Sequence, residues 1–293
     1  MKKVFLLLLV TLWGVHGFSL QPDDPGSKPA KAKQFSVGLN YFFMSVDMEL
    51  SAMKLHSVWF GSDAGTEVKT QEQLDEINGF VNRYTRINAL VLQLGMTLLD
   101  KPDVKWKMRG SVFGGVAANL TTVTNNDDDV KEFTFNSGLS RPCLGLAFDL
   151  GYQFNPRWGI VLRPFVTGTM GSSSTIEDLV NPDLLNYSVS KENKYRTLYG
   201  KVSLLASFNA GKFSFFAGPG FYRIWSHHEY TRTYTETEES ETITEEMTTN
   251  LVTKNFVDGN IAAVWRISQR FSLDAMFGYG GDVHVNAGLH YNF

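Results

Sequence analysis

Two Asp–His sets lie close to the C-terminus: Asp282 with His284, and Asp274 with His290. A carboxylate that orients an imidazole is a general acid–base arrangement. Asp127, Asp128 and Asp129 form a separate acidic run. Arg109, Asp149 and Arg163 suggest different chemistry, one carboxylate between two guanidiniums. Enclosed charges need such partners, so a salt-bridged plug is the expected role and an ion filter the alternative. His227, His228 and Glu229 are metal-ligating types, read here as histidines of a solvated loop. The single cysteine, Cys143, excludes a disulfide scaffold and a Cys-based zinc cage, and is read as a small packing residue. Gly218-Pro219-Gly220 reads as a bend or packing notch within a strand, not a phosphate loop. None of these sets is assigned as a catalytic, cofactor-binding or metal site.

What must position these side chains is a repeated alternation. Leu144, Leu146, Phe148, Leu150, Tyr152 and Phe154 interleave with Cys143, Gly145, Ala147, Asp149, Gly151 and Gln153. In a strand the two sets face opposite sides. Similar alternation starts at Phe35, Leu90, Val104, Trp158, Leu198, Phe213, Val257, Phe271 and Val283, giving ten strands in all. Arg109, Asp149 and Arg163 then share the polar face at matching heights, as do Asp274 and His290. Asp282 and His284 fall near the outer rim.

The connections fall into two classes. Lys101–Val104, Asn155–Arg157, Asn209–Lys212 and Ser268–Arg270 are tight turns rich in Pro, Gly, Asn and Ser. Ser51–Arg83, Thr121–Ser140, Gly171–Lys194 and His227–Lys254 are long and polar, with Gly280–Asp282 a short fifth. Short and long links alternate, so every long one lies on the same side. Within them, Leu74, Ile77, Phe80 and Val81 have helical spacing that predicts a lid helix in Gln71–Tyr84. Alternating Thr231, Thr233, Thr235 and Thr237 predicts a hairpin continuing past the membrane. Trp106, Phe154, Trp158, Phe208, Phe213, Trp265, Phe271 and Phe293 lie beside the short turns, while Tyr41, Phe43, Phe221, Trp225 and Tyr279 lie near the long links. Two aromatic belts around an aliphatic band suit the two boundaries of a bilayer.

The composition agrees. Of 293 residues, 43% are hydrophobic and 19% charged, enough apolar surface to rule out bulk disorder. A net charge of −3 argues against a nucleic-acid partner. Residues 1–17, with Lys2 and Lys3 before an apolar run, read as a secretory signal peptide cleaved after Gly17. Residues 18–33 read as a flexible leader and 34–293 as the barrel.

Signal peptide, alternating strands and the terminal Tyr291-Asn292-Phe293 together resemble Gram-negative outer-membrane β-barrel proteins. The resemblance implies one all-β antiparallel transmembrane barrel with short periplasmic turns and long extracellular loops. Ten strands are expected; eight or twelve stay open because the first long link could hide a hairpin. It also implies a place in the outer membrane, lipid contact, and biogenesis through the barrel-assembly machinery, which would read Val285, Ala287, Leu289, Tyr291 and Phe293. The expected function is structural or surface binding of an extracellular ligand through the loops, without enzymatic activity. A narrow, porin-like solute or ion channel is the alternative. A lipid-modifying or omptin-like hydrolase is a second, since omptins resemble this chain in size and use acidic residues with an Asp–His pair at the outer rim. There the Asp–His pair comes earlier in the chain than Asp282 and His284 do.

Overall fold

The computed structural model describes residues 35–59, 62–100, 104–125, 133–136, 141–180, 186–236 and 242–293. The signal peptide, the leader, the tight turn at 101–103 and the acidic run at 127–129 lie outside them.

In chain order the elements are β1 (Phe35–Trp59), β2 (Ser62–Val68), α1 (Gln71–Phe80), β3 (Val81–Asp100), β4 (Trp106–Asn125), β5 (Phe133–Asn136) and β6 (Arg141–Gln153). They continue with β7 (Trp158–Val180), β8 (Asn186–Ala210), β9 (Phe213–Glu236), β10 (Thr242–Thr253), β11 (Val257–Arg266), β12 (Phe271–Tyr279) and β13 (Val283–Asn292). Ten strands close a ring in the order β1-β13-β12-β11-β9-β8-β7-β6-β4-β3, and β3 returns to β1. Neighbours are antiparallel throughout, with Ser36 opposite Asn292 on one side of β1 and Phe35 opposite Met96 on the other. The backbone N–H of Phe293 donates to the carbonyl of Phe35 at 2.8 Å, fastening the last strand to the first. Closure satisfies the backbone groups that a strand edge would leave bare in hydrocarbon.

The turns on one side follow from local hydrogen bonding. Asn155 Oδ1 accepts from the N–H groups of Arg157 and Trp158, at 2.9 and 3.0 Å. Ser268 Oγ does the same for Arg270 and Phe271, and Gly211 takes φ +61°, a left-handed conformation suited to glycine. The outer face is apolar as the alternation predicts: Leu144 is 70% exposed, and Leu94, Leu146, Val112, Leu204 and Ile261 are exposed with it. Aromatic rings border this band, paired across strands as in Trp158–Phe208 and Phe213–Trp265, with centroids 4.6 and 6.0 Å apart.

The long links differ from the expected polar loops. Much of their length is strand: β1 runs to Trp59, β7 to Val180, β8 starts at Asn186, and β9 runs to Glu236. The β9–β10 hairpin forms as the threonine alternation predicts, with Thr242 opposite Thr235. β10 then also pairs with β1, from Met48–Thr253 to Trp59–Ile243, and so completes the wall on the loop side. β2 pairs with β1 and β5 with β4. These extensions escape a search for hydrophobic alternation because no lipid faces them, so their outward positions need not be apolar.

Candidate functional site

Strand register decides which inward side chains meet. Next to the short turns, Val161, Leu205, Phe216 and Val264 form an apolar floor. Above them lies a charged layer. Arg163 grips Asp149 at two points, Nε to Oδ1 at 2.6 Å and Nη2 to Oδ2 at 3.2 Å. Lys201 pairs with Asp258 and donates to Asn260 Oδ1 at 2.7 Å, while Asn260 Nδ2 donates to Asp258 Oδ1 at 2.8 Å. His290 Nε2 lies 3.1 Å from Asp274 Oδ1.

Glycines on neighbouring strands make room for these groups. A Cβ on Gly220 would strike the Asp258 carboxylate, one on Gly38 the His290 ring, and one on Gly145 the ring of Phe113. The Gly218-Pro219-Gly220 segment is thus a notch: a Cβ on Gly218 would meet the carbonyl of Leu204. Removing side-chain volume at matched register is how a ring this narrow holds buried cations.

Over the charged layer sits an aromatic one. Phe113 stacks on Phe165 with centroids 5.2 Å apart, and Phe165 meets Tyr199 at 5.5 Å. A chamber of about 80 Å³ lies between the layers, lined by Asn40, Gln93, Asp149 and Arg163 and by the rings of Phe42 and Phe113. Tyr222 and His284 continue the aromatic layer toward the loops, their rings 4.7 Å apart. Next come Met44, Val46, Met48, Leu50, Ile87, Ile224 and Leu251, an apolar cluster that Leu74 of α1 covers.

The lid helix forms where its spacing predicts, a little shorter than Gln71–Tyr84. Thr70 and Gln73 build a reciprocal capping box at its start. Its end is held by the side chain of Asn78, which bridges one residue of β1: Leu50 N–H donates to Oδ1 and Nδ2 donates to Leu50 O, both at 2.9 Å. Arg83 Nη1 donates to the same Oδ1 at 3.1 Å. Beneath and beside the lid is a vestibule cavity of about 240 Å³.

The expected constellations are resolved in different ways. Asp149 and Arg163 pair as predicted, and Arg109 stands opposite Asp149 in the β4–β6 register, its guanidinium also hydrogen-bonded to Ser36. Asp274 and His290 meet. Asp282 and His284 take different partners. Asp282 accepts from the N–H of Asp47 at 2.9 Å and from the Tyr222 hydroxyl, whereas His284 Nδ1 lies 3.2 Å from the Tyr199 hydroxyl. Burial pushes the Asp282 carboxyl up, and the hydrogen bonds from Tyr222, Asp47 and Asn255 oppose that shift. Asp282 and His284 are each 1% exposed, so both are sealed away from solvent, and among the described residues His284 Nε2 has no hydrogen-bond partner.

His227 and His228 sit on successive residues of β9 and therefore face opposite sides of the wall. His227 contacts Asn250 and Glu229 at 2.6 and 3.1 Å, and His228 contacts Ser226 at 2.8 Å. Burial, with the neighbouring His227 charge, lowers His228 to about 4. Among the described residues no group of three or more metal-ligating side chains converges. Cys143 is buried and faces inward, its Sγ 3.2 Å from Thr167 Oγ1.

Three groups escape a reading by motif. Asp258 belongs to no recognisable spacing with Lys201, because 57 residues separate them. Asn78 and Arg83 fall inside a link that looks like a polar loop. Inward parity was the only available signal for Asp258, and it says nothing about which strand lies across the lumen.

No protein-family model matches the chain, and no curated protein matches it by sequence. Among solved structures it is similar to the outer-membrane protease OmpT from Escherichia coli, at 9% identity and TM-score 0.41, over 87% of this chain and 97% of that one. It is similar to the Pseudomonas putida toluene transporter TodX at 9% identity and TM-score 0.37, over 96% and 93%. The Pseudomonas aeruginosa outer-membrane protein OprG aligns at 9% identity and TM-score 0.29, over 90% and 97%. Likeness at this level carries nothing about role. The class rests on the chain's own architecture: a closed ten-stranded antiparallel ring, apolar outside between aromatic belts, is an outer-membrane β-barrel.

Proposed function

We propose that this barrel is a surface-binding protein whose ligand is held by the extracellular wall and lid, with the transmembrane lumen closed. One observation carries the reading: the lumen is filled in successive layers by paired charges, stacked rings and aliphatic side chains. Each long polar group is accommodated by a glycine or a partner on a neighbouring strand. Side chains fill a barrel of about this strand number, while water-filled channels belong to wider ones. The loop side, by contrast, is elaborated: extended β7, β8 and β9, an inserted β10 and a latched helix.

The hydrolase alternative gains no support from Asp282 and His284, which are buried and differently partnered. The channel alternative makes a clear electrical prediction. Purified full-length protein in planar bilayers should add no steady current above the bare membrane. Stable currents of fixed unit size, lost on heat unfolding, would overturn the closed-lumen reading and promote the channel.

A further inference from the structure

The vestibule cavity has an unusual lining. Leu50, Met53, Ile77, Met247 and Leu251 make most of it apolar, yet Arg83 lies in the same wall. Arg83 is 9% exposed. Its hydrogen bonds run from Nη1 to two neutral acceptors, Asn78 Oδ1 at 3.1 Å and Val81 O at 3.4 Å. Among the described residues no carboxylate pairs with it. Burial pushes this guanidinium down, and among the described residues no counter-charge opposes the shift. A buried cation without an anion is costly, and protein interiors ordinarily supply one.

The shape of the space limits what could supply it. About 240 Å³ exceeds the roughly 150 Å³ that accepts a benzene ring. It leaves space for one ring, or a short chain, and a carboxylate. Asn193, Tyr230, Thr249 and His228, whose lowered pKa of about 4 keeps it neutral at pH 7, add uncharged polar groups to the lining, suited to a second oxygen. A planar guanidinium matches a carboxylate through two parallel hydrogen bonds.

We propose that this cavity binds a small organic monoanion, a carboxylate on an apolar body about the size of one ring. Arg83 pairs with the carboxylate, and Met53, Ile77, Met247 and Leu251 enclose the body. Asn78 ties Arg83 and the helix lid to Leu50, so binding should tighten the lid. The inference deepens the surface-binding reading and rests on it for the location of the ligand.

The test is ¹⁹F NMR titration of the full chain in lipid nanodiscs with 4-fluorobenzoate and its neutral analogue 4-fluorobenzamide. The acid should bind saturably and at least tenfold more tightly than the amide, and inorganic phosphate should not displace it. Met247→Trp, which fills the cavity, should weaken the acid at least tenfold. Arg83→Gln should erase the preference for acid over amide while leaving amide binding unchanged. If Arg83→Gln does not assemble, the wild-type acid–amide ratio and Met247→Trp decide alone. Equal binding of acid and amide, displacement by phosphate, no saturable acid binding, or an unaffected Met247→Trp would each overturn the site. Acid failing to bind to a barrel that carries no current would sink only this site. Current through a barrel that still binds the acid would sink only the closed-lumen reading.

Discussion

Arg163 on β7 and Asp149 on β6 form a two-point ion pair, both side chains less than a tenth exposed, in the middle of the barrel lumen. Removing one member leaves the other buried without its counter-charge. Asp149→Ala should therefore destabilise the barrel by about 3–5 kcal/mol, while a double replacement by Leu and Met at 149 and 163 should be nearly neutral. Denaturant unfolding in micelles distinguishes them. A single replacement as mild as the double one would show that the pair is not the lumen's anchor.

The lid latch makes a local prediction. Asn78→Ala removes both bonds to Leu50 and the acceptor of Arg83, leaving buried backbone groups unpaired at a cost of about 1–3 kcal/mol. The transmembrane ring does not depend on that contact. Amide exchange should accelerate in α1 and around Leu50, with exchange in β11–β13 unchanged. Uniform acceleration across all strands would refute a separately latched lid.

Acid should loosen the loop-side wall. His228 is lowered from 6.5 to about 4 in the folded chain. Its neutral form is therefore favoured by folding, and that contribution is complete above about pH 6.5. It is lost progressively as pH falls toward 4, because the unfolded chain takes up the proton first. Thermal unfolding midpoints across this range should fall for the wild type and fall less for His228→Phe, which keeps an aromatic ring beside Tyr195. Parallel curves for the two proteins would assign the acid sensitivity elsewhere.

The terminal residue should matter to assembly more than to the finished barrel. Phe293 is 74% exposed, and its backbone N–H is one bond in a closed ring. Deleting it should lower the heat-modifiable barrel recovered from outer membranes, while protein refolded in detergent unfolds at nearly the wild-type midpoint. Normal recovery from membranes would remove the terminal residue from the assembly signal.

Period-two alternation was enough to place the ten ring strands and their lipid face. Leu144 to Phe154 must turn apolar groups outward, and a one-residue slip would bury all of them against the charged lumen. Turn chemistry was equally local: Asn155 and Ser268 act on residues two and three positions away. The helix over Gln71–Phe80 and the Thr-rich hairpin were legible because their spacing is carried by neighbouring residues.

What tertiary structure alone decided is which inward groups on non-adjacent strands meet. Hairpin register already set Asp149 beside Arg163 and Asp274 beside His290, but parity puts Lys201, Asp258, Asp282 and His284 inside without saying how they pair. Ring closure then gave Asp258 to Lys201 and separate partners to Asp282 and His284. The extended walls above the membrane were hidden for a related reason. Their strands are held by pairing with distant partners such as β10 on β1, and without lipid outside they carry no hydrophobic alternation. Arg83 and Asn78 lie among them, so the lidded cavity existed in the sequence only as separate polar residues until the fold brought its walls together.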